Sequence, residues 1–188
     1  MDSVRLPAFI VLCSISVLSL ASDKWSGFLC CNLRTDGEWV TDINYQETGK
    51  HLIPAGTPVT VNGYGRYRVK VFLENKKQEI GNDYSRDLPM DEFAKRYIVS
   101  EDPTLKIRAF PQNVQDAIHQ AKIMLGMSRE QVLMSVGYPV LSENPHVEDK
   151  VWRFWLFSHS EFRVRFDDAG RVIKVDGDED TVDKVLAE

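Results

Sequence analysis

The 188-residue sequence has few cysteines, no long basic run and none of the common catalytic motifs. Its three cysteines, at positions 13, 30 and 31, are too few for a disulfide framework. A net charge of −5 without a basic run argues against a nucleic-acid-binding protein. There is no phosphate loop, dinucleotide fingerprint or Gly-x-Ser-x-Gly, and the histidines at 51, 119, 146 and 159 have no paired spacing. The sequence therefore predicts a non-enzymatic protein without a metal or cofactor.

The longest uncharged stretch lies at the N-terminus, from Ala8 to Ala21. As a helix it would span about 21 Å, against a hydrocarbon core of about 30 Å, so it is short for a transmembrane helix. Ser19 and Ala21 place small residues where a signal peptidase reads them. We predict a signal peptide over residues 1–21 and export across the inner membrane, with a retained N-terminal anchor as the alternative.

Cys30 and Cys31 are adjacent, and three interpretations stay open for them. Ordinary disulfides need Cα atoms about 4.4–6.8 Å apart, which favours two partly buried thiols in a strand. A vicinal or intermolecular disulfide is the second interpretation. A metal or redox role is the third, although no Cys-x-x-Cys motif accompanies the pair.

Residues 22–111 have the signals of a small β-rich unit. Valines alternate with polar residues in "GTPVTVNGYGRYRVKV", where Asn62-Gly63 predicts a tight turn, and "ENKK" predicts the next turn. A short helix is expected near Pro89, with Phe93 directed inward. The unit resembles a small SH3-like β-barrel, and residues 99–111, with two prolines and no clean period, are expected to connect it to the next unit. One strand of the hairpin would have a basic face made of Arg66, Arg68 and Lys70.

Two helices are predicted next. Residues 112–125 place apolar side chains on one face, and Gly126 would end that helix. Ser128 and Gln131 have the spacing of a capping box, and Met127 and Val132 that of a hydrophobic staple across it. Gly137 and Pro139 would then end the second helix.

Three strands follow the helices. The run "VWRFWLF", residues 151–157, is apolar on both faces and typical of a central strand, and residues 162–166 and 172–175 complete a meander. Two helices on a three-stranded antiparallel meander form an α+β two-layer sandwich over residues 112–176. The last thirteen residues hold six acids and one base, which predicts a solvated acidic tail, with a docking segment for a basic partner as the alternative. Asp176, Asp178 and Asp180 echo a calcium loop, but Thr181 stands where the loop needs glycine.

"GMSREQVLMSVGYP", an aromatic strand beginning at Trp152 and "FRVRFDDAGRVIKV" occur in this order over residues 112–176. Together they resemble the SmpA/OmlA family of bacterial envelope proteins, which includes the outer-membrane assembly factor BamE. The resemblance implies a non-enzymatic periplasmic module that docks onto an envelope protein partner and can contact anionic lipid. The sequence departs from the family in its N-terminal region of about ninety residues. It also lacks a lipobox, because Cys13 and Cys30 each follow leucine.

The candidate binding residues come from the aromatic strand at residues 151–157 and from the basic residues that alternate along two other predicted strands. Strand residues of these types usually form core or solvated faces, and the functional interpretation is contact with a partner or with anionic head groups. We expect an envelope protein that assists outer-membrane protein assembly or envelope integrity. A soluble inhibitor-like or ligand-binding module of the same fold is the alternative, and an enzyme with Cys30 or Cys31 as nucleophile is the third hypothesis. The candidate binding residues are Trp152, Phe154, Trp155, Arg163, Arg165, Arg66, Arg68 and Lys70.

Overall fold

The computed structural model describes residues 24–187, which form a mixed α+β protein with two sheets and five helices. The predicted signal peptide, residues 1–21, lies outside the described residues. Among the residues that are described, no helix is long and apolar enough to cross a membrane. The strands are β1 Trp25–Leu29, β2 Leu33–Thr35, β3 Trp39–Thr41, β4 His51–Ile53, β5 Pro58–Tyr64, β6 Arg68–Leu73, β7 Lys76–Gly81, β8 Ile98–Val99, β9 Val151–Phe157, β10 Ser160–Phe166 and β11 Val172–Gly177. The helices are α1 Met90–Tyr97, α2 Pro103–Ile107, α3 Gln112–His119, α4 Arg129–Val136 and α5 Glu179–Val185.

The N-terminal strands form one eight-stranded sheet in the order β4-β2-β3-β7-β6-β5-β1-β8. All neighbours are antiparallel except β3 and β7. Alternate residues of β5 and β6 are buried, as period-two strands require, and they pack in one core with Phe93 and Tyr97 of α1. The expected helix near Pro89 with an inward Phe93 is therefore confirmed.

The two predicted turns of this sheet have different outcomes. Asn62-Gly63 is not a turn, because both residues lie within β5 and the pairing with β6 shifts between Val61 and Gly63. Asn62 is the extra residue of a β-bulge, and the chain reverses only after Tyr64. The "ENKK" turn is confirmed: Glu74 and Asn75 have φ of 52° and 61°, the left-handed pair of a two-residue hairpin.

The C-terminal sheet is a three-stranded antiparallel meander in the order β11-β10-β9. The prediction that residues 151–157 form the central strand is wrong, because β10 is central and β9 lies at the edge. Every second residue of β9, namely Trp152, Phe154 and Leu156, is buried. These side chains share a core with buried residues of α3 and α4, so the helices cover one face of the sheet.

The helix predicted over residues 112–125 ends earlier, after His119. Ala121 has a left-handed φ of 53°, and the N–H of Lys122 donates to the carbonyl of Ala117 at 2.9 Å, which is a Schellman ending. An alanine occupies this position although glycine fits it best. In a continuing helix the N–H of Ile123 would donate to the carbonyl of His119. Here it donates to the carbonyl of Val185 at 2.7 Å, and the chain leaves the helix.

The second helix agrees with its sequence signals. Ser128 and Gln131 form both hydrogen bonds of the capping box. The staple residues Met127 and Val132 are fully buried in the same core. Gly137 ends the helix with a φ of 85°, a conformation that glycine tolerates.

The acidic C-terminal segment is not a solvated tail, which corrects the prediction for this region. Residues 179–185 form α5, whose N-cap Asp178 accepts hydrogen bonds from the N–H and hydroxyl of Thr181. Val185 is buried in the C-terminal core. Acidic residues in the first turn stabilise a helix, so the acid-rich composition reflects helix capping rather than disorder.

The predicted connection at residues 99–111 contains helix α2, and Ile107 is part of the C-terminal core. The two cores also meet at a buried polar junction around Asn32. Its Nδ2 donates to the carbonyls of Ile118 at 2.5 Å and Ser135 at 3.0 Å, and its Oδ1 accepts from the N–H of Ala55 at 2.9 Å. The N-terminal sheet and helices α3 and α4 are therefore joined by specific hydrogen bonds.

Candidate functional site

The structure separates the three predicted aromatic binding residues. Trp152 is completely buried and Phe154 is 7% exposed. The ring of Trp152 packs against Phe166 with centroids 4.7 Å apart, and Phe154 stacks on Phe162 at 5.3 Å. Trp152 and Phe154 therefore belong to the core, whereas Trp155 is half-buried and points to the opposite side of β9.

The side of the C-terminal sheet that faces away from α3 and α4 is the candidate site, and we call it the outer face. The strand register brings Trp155 opposite Glu161, and Arg163 between Arg153 and Asp176. Arg163 and Arg165 are exposed there, as the sequence predicted for a strand face. The outer face consists of Arg153, Trp155, Glu161, Arg163, Arg165, Lys174 and Asp176.

The charges of the outer face are paired across the strands. Glu161 accepts hydrogen bonds from Arg153 and from Arg163, the latter at 2.5 Å. Asp176 forms ion pairs with Arg165 and Lys174. Hydrogen bonds from Lys174 and then Arg165 hold the pKa of Asp176 below its usual value. The outer face is therefore a lattice of mixed charge, which weakens the physical case for contact with anionic lipid.

Trp155 is held at the rim of this lattice. Its indole Nε1 donates to a carboxylate oxygen of Glu143 at 2.8 Å, and the guanidinium of Arg153 lies 4.8 Å from the indole ring. The same carboxylate of Glu143 forms an ion pair with Nε of Arg153 at 3.5 Å. The aromatic side chain therefore stays oriented while part of its surface remains accessible.

The backbone edge of β9 is partly closed. The side chain of Asn144 accepts from the N–H of Arg153 at 2.7 Å and donates to its carbonyl at 3.0 Å. The N–H of Gln46 donates to the carbonyl of Leu156 at 2.9 Å. These groups occupy positions that an added strand would use, so recognition here has to rely on side chains.

The other basic candidates lie on the N-terminal sheet. The guanidinium of Arg68 lies 3.9 Å from the ring centroid of Trp39 and 3.0 Å from a carboxylate oxygen of Asp83. Arg66 precedes β6 and lies 5.2 Å from the ring of Tyr67, and Lys70 is exposed on β6. Arg68 is therefore held in a local structural contact, and these residues belong to a different surface from Arg163 and Arg165.

Cys30 and Cys31 are joined by a disulfide, the second of the three interpretations that the sequence left open. Cys31 is fully buried, whereas Cys30 lines a groove of about 240 Å³ together with Met134 and Tyr138. In this state neither sulfur is a free nucleophile. Within residues 24–187 there is no cluster of three or more histidine, cysteine or acidic residues that could hold a metal ion.

The sequence interpretation missed the acidic partners of the outer face, namely Glu143, Glu161 and Asp176. Strand register places Glu161 and Asp176, and Glu143 reaches Trp155 and Arg153 from a turn before β9. All three contacts join residues whose pairing has no local signal in the sequence. Comparisons with protein-family models, with curated proteins and with solved structures found no match for this chain. The resemblance to the SmpA/OmlA family stays a prediction.

Proposed function

We propose that the protein is an exported, non-enzymatic protein of the bacterial cell envelope that binds a protein partner through the outer face. The observation that carries this proposal is the composition of that face, where an oriented, half-buried Trp155 lies beside the exposed Arg163 and Arg165. Tryptophan and arginine are the residue types that most often dominate binding energy at protein interfaces.

The fold adds support of a weaker kind. Helices α3 and α4 share one core with the buried face of the meander, which is what a two-layer sandwich of the SmpA/OmlA type requires. We propose this sandwich as the recognition module, and an SH3-like form for the N-terminal sheet. A fold does not determine a function, so the role in outer-membrane protein assembly rests on the family resemblance alone.

A protein partner explains the charge pattern better than a membrane surface does. Lipid head groups attract unpaired cations, and the cations Arg153, Arg163 and Arg165 are all in ion pairs within the outer face. A partner surface of mixed charge can exchange these pairs for intermolecular ones, which gives specificity. Contact with anionic lipid is therefore secondary in this proposal.

Site-specific photocrosslinking in the native bacterial host tests the proposal. A photoreactive amino acid at Arg163 should crosslink to one envelope protein, whereas the same group at Arg108, which is exposed but is not part of the outer face, should not. Equal crosslinking from both positions, or none from Arg163, would contradict docking through the outer face. A mature N-terminus other than Ser22 would contradict the predicted cleavage after Ala21.

Cell fractionation separates this proposal from the alternative. A component of outer-membrane assembly should sediment with the outer membrane, whereas a soluble inhibitor-like or ligand-binding module should stay in the periplasmic fraction. One observation favours the alternative as a second candidate: the described residues enclose a small pocket at the junction of the two cores.

A further inference from the structure

A small pocket of about 160 Å³ lies where the N-terminal sheet meets the C-terminal sheet and α5. We call it the junction pocket. Its lining includes two stacked aromatic rings, Phe154 and Phe162, and the cations Arg34, Lys122 and Lys184. No acidic side chain lines the pocket within residues 24–187. The pocket is therefore apolar on one wall and positively charged on another.

Arg34 is the cation of this pocket whose guanidinium has no partner among residues 24–187. Its side chain is half-buried on β2, and no hydrogen bond or ion pair reaches its guanidinium from the part of the chain that the structure describes. Burial lowers the pKa of Arg34 from its usual value because water is excluded from the charged group. Partial burial removes some of the water around this cation, and a bound anion would compensate for the lost hydration, so the guanidinium is a candidate anion-binding group.

The two lysines are already engaged. Nζ of Lys122 donates to the carbonyls of Leu186 at 3.2 Å and Asp183 at 3.4 Å, and Nζ of Lys184 lies 5.6 Å from the ring centroid of Phe157. Both add positive potential to the pocket. The five N–H donors of the guanidinium of Arg34 remain available.

The walls are fixed by contacts that do not involve the guanidinium. Asn44 accepts a hydrogen bond from the N–H of Arg34 at 2.8 Å and donates to the carbonyl of Val136 at 3.0 Å. The stacked pair of Phe154 and Phe162 forms the aromatic wall. The pocket is therefore formed before any ligand arrives, which lowers the cost of binding.

We infer that the junction pocket binds a small organic carboxylate, whose anionic group pairs with the guanidinium of Arg34 and whose apolar body lies against Phe154 and Phe162. The planar guanidinium fork matches a carboxylate through two parallel hydrogen bonds. A cavity of about 150 Å³ holds a benzene ring, so the volume suits a compact aromatic or short aliphatic acid. The site names a ligand class for the second candidate function, a ligand-binding module, and it requires no partner on the outer face, although Trp155 belongs to both surfaces.

Titration calorimetry with sodium benzoate as probe tests this inference on the purified protein. Benzoate should bind at one site, and the neutral benzyl alcohol should bind about tenfold more weakly or worse, because a charge-assisted hydrogen bond to Arg34 is lost. Inorganic phosphate should also be weaker, because it leaves the aromatic wall unused. Equal affinity for benzyl alcohol or for phosphate would overturn the inference, as would the absence of saturable benzoate binding.

Two variants and one control assign the effect to Arg34. Arg34→Gln should weaken benzoate binding about tenfold or more without affecting benzyl alcohol, and Arg34→Lys should restore part of the affinity. The matched control Arg108→Gln removes an exposed arginine and should change nothing. Without ligand, Arg34→Gln should unfold at about the same temperature as the parent protein, because the guanidinium has no hydrogen bond or ion pair to lose among the described residues. An unchanged benzoate affinity in Arg34→Gln would refute the assignment, whatever the crosslinking at the outer face shows.

Discussion

Replacing Asn32 with alanine tests whether the two cores fold as one unit. The side chain of Asn32 is 2% exposed and makes three hydrogen bonds across the junction. In Asn32→Ala, the carbonyl of Ile118 keeps its hydrogen bond from Ala121, but the carbonyl of Ser135 and the N–H of Ala55 lose the partner that the side chain provides. Each buried group left without a partner costs about 1–3 kcal/mol, so we expect a loss of about 3 kcal/mol in the free energy of unfolding.

Urea unfolding followed by tryptophan fluorescence and by circular dichroism measures this loss. The fully buried Trp152 reports on the C-terminal core and Trp39 on the N-terminal sheet. In the parent protein the fluorescence and circular dichroism signals should change at the same urea concentration, because a shared junction makes unfolding cooperative. The control Asn62→Ala removes an exposed amide from the β-bulge and should cost less than about 0.5 kcal/mol. A loss below about 1 kcal/mol in Asn32→Ala would show that the junction does not hold the cores together.

Three further predictions concern single positions. Ser128→Ala should lower the free energy of unfolding by about 1 kcal/mol, because the capping box is lost. The control Ser142→Ala, at an exposed site, should leave it unchanged, and chemical denaturation measures both variants. Asn75→Gly should raise the free energy of unfolding by about 0.5 kcal/mol, and with it the melting temperature, because glycine adopts the left-handed φ of this turn residue more readily. An unchanged or lower melting temperature contradicts the turn assignment. Burial raises the pKa of Asp42, so its contribution to stability is present below the unfolded pKa of about 4 and is lost as pH rises through the folded pKa. Asp42→Asn should therefore gain stability relative to the parent protein as the pH is raised from about 3 to about 7, and a flat difference would refute this.

The sequence predicted best what neighbouring residues decide. The capping box of Ser128 and Gln131 and the turn at Glu74 and Asn75 depend on a few adjacent residues, and both are as expected. The early end of α3 was missed, because it depends on a hydrogen bond between Ile123 and Val185, which are far apart along the chain.

The same reason explains the errors at the candidate site. The aromatic pattern of β9 indicated a buried strand correctly, yet nothing local distinguishes a central strand from an edge strand covered by Asn144 and Gln46. The basic residues Arg163 and Arg165 were found from alternation alone, but their acidic partners depend on register. Arg34 has no distinguishing sequence context, and only the packing of both sheets shows that none of residues 24–187 pairs with its guanidinium.

The amide of Asn144 has a consequence for how copies of this protein behave at high concentration. A bare outer strand bearing aromatic side chains is a template on which an identical strand can add, and each addition exposes a new template for the next. By occupying both backbone groups of Arg153, Asn144 removes this growth point. Trp155 can therefore remain accessible to solvent while the edge of β9 does not support the repeated addition of strands from other copies.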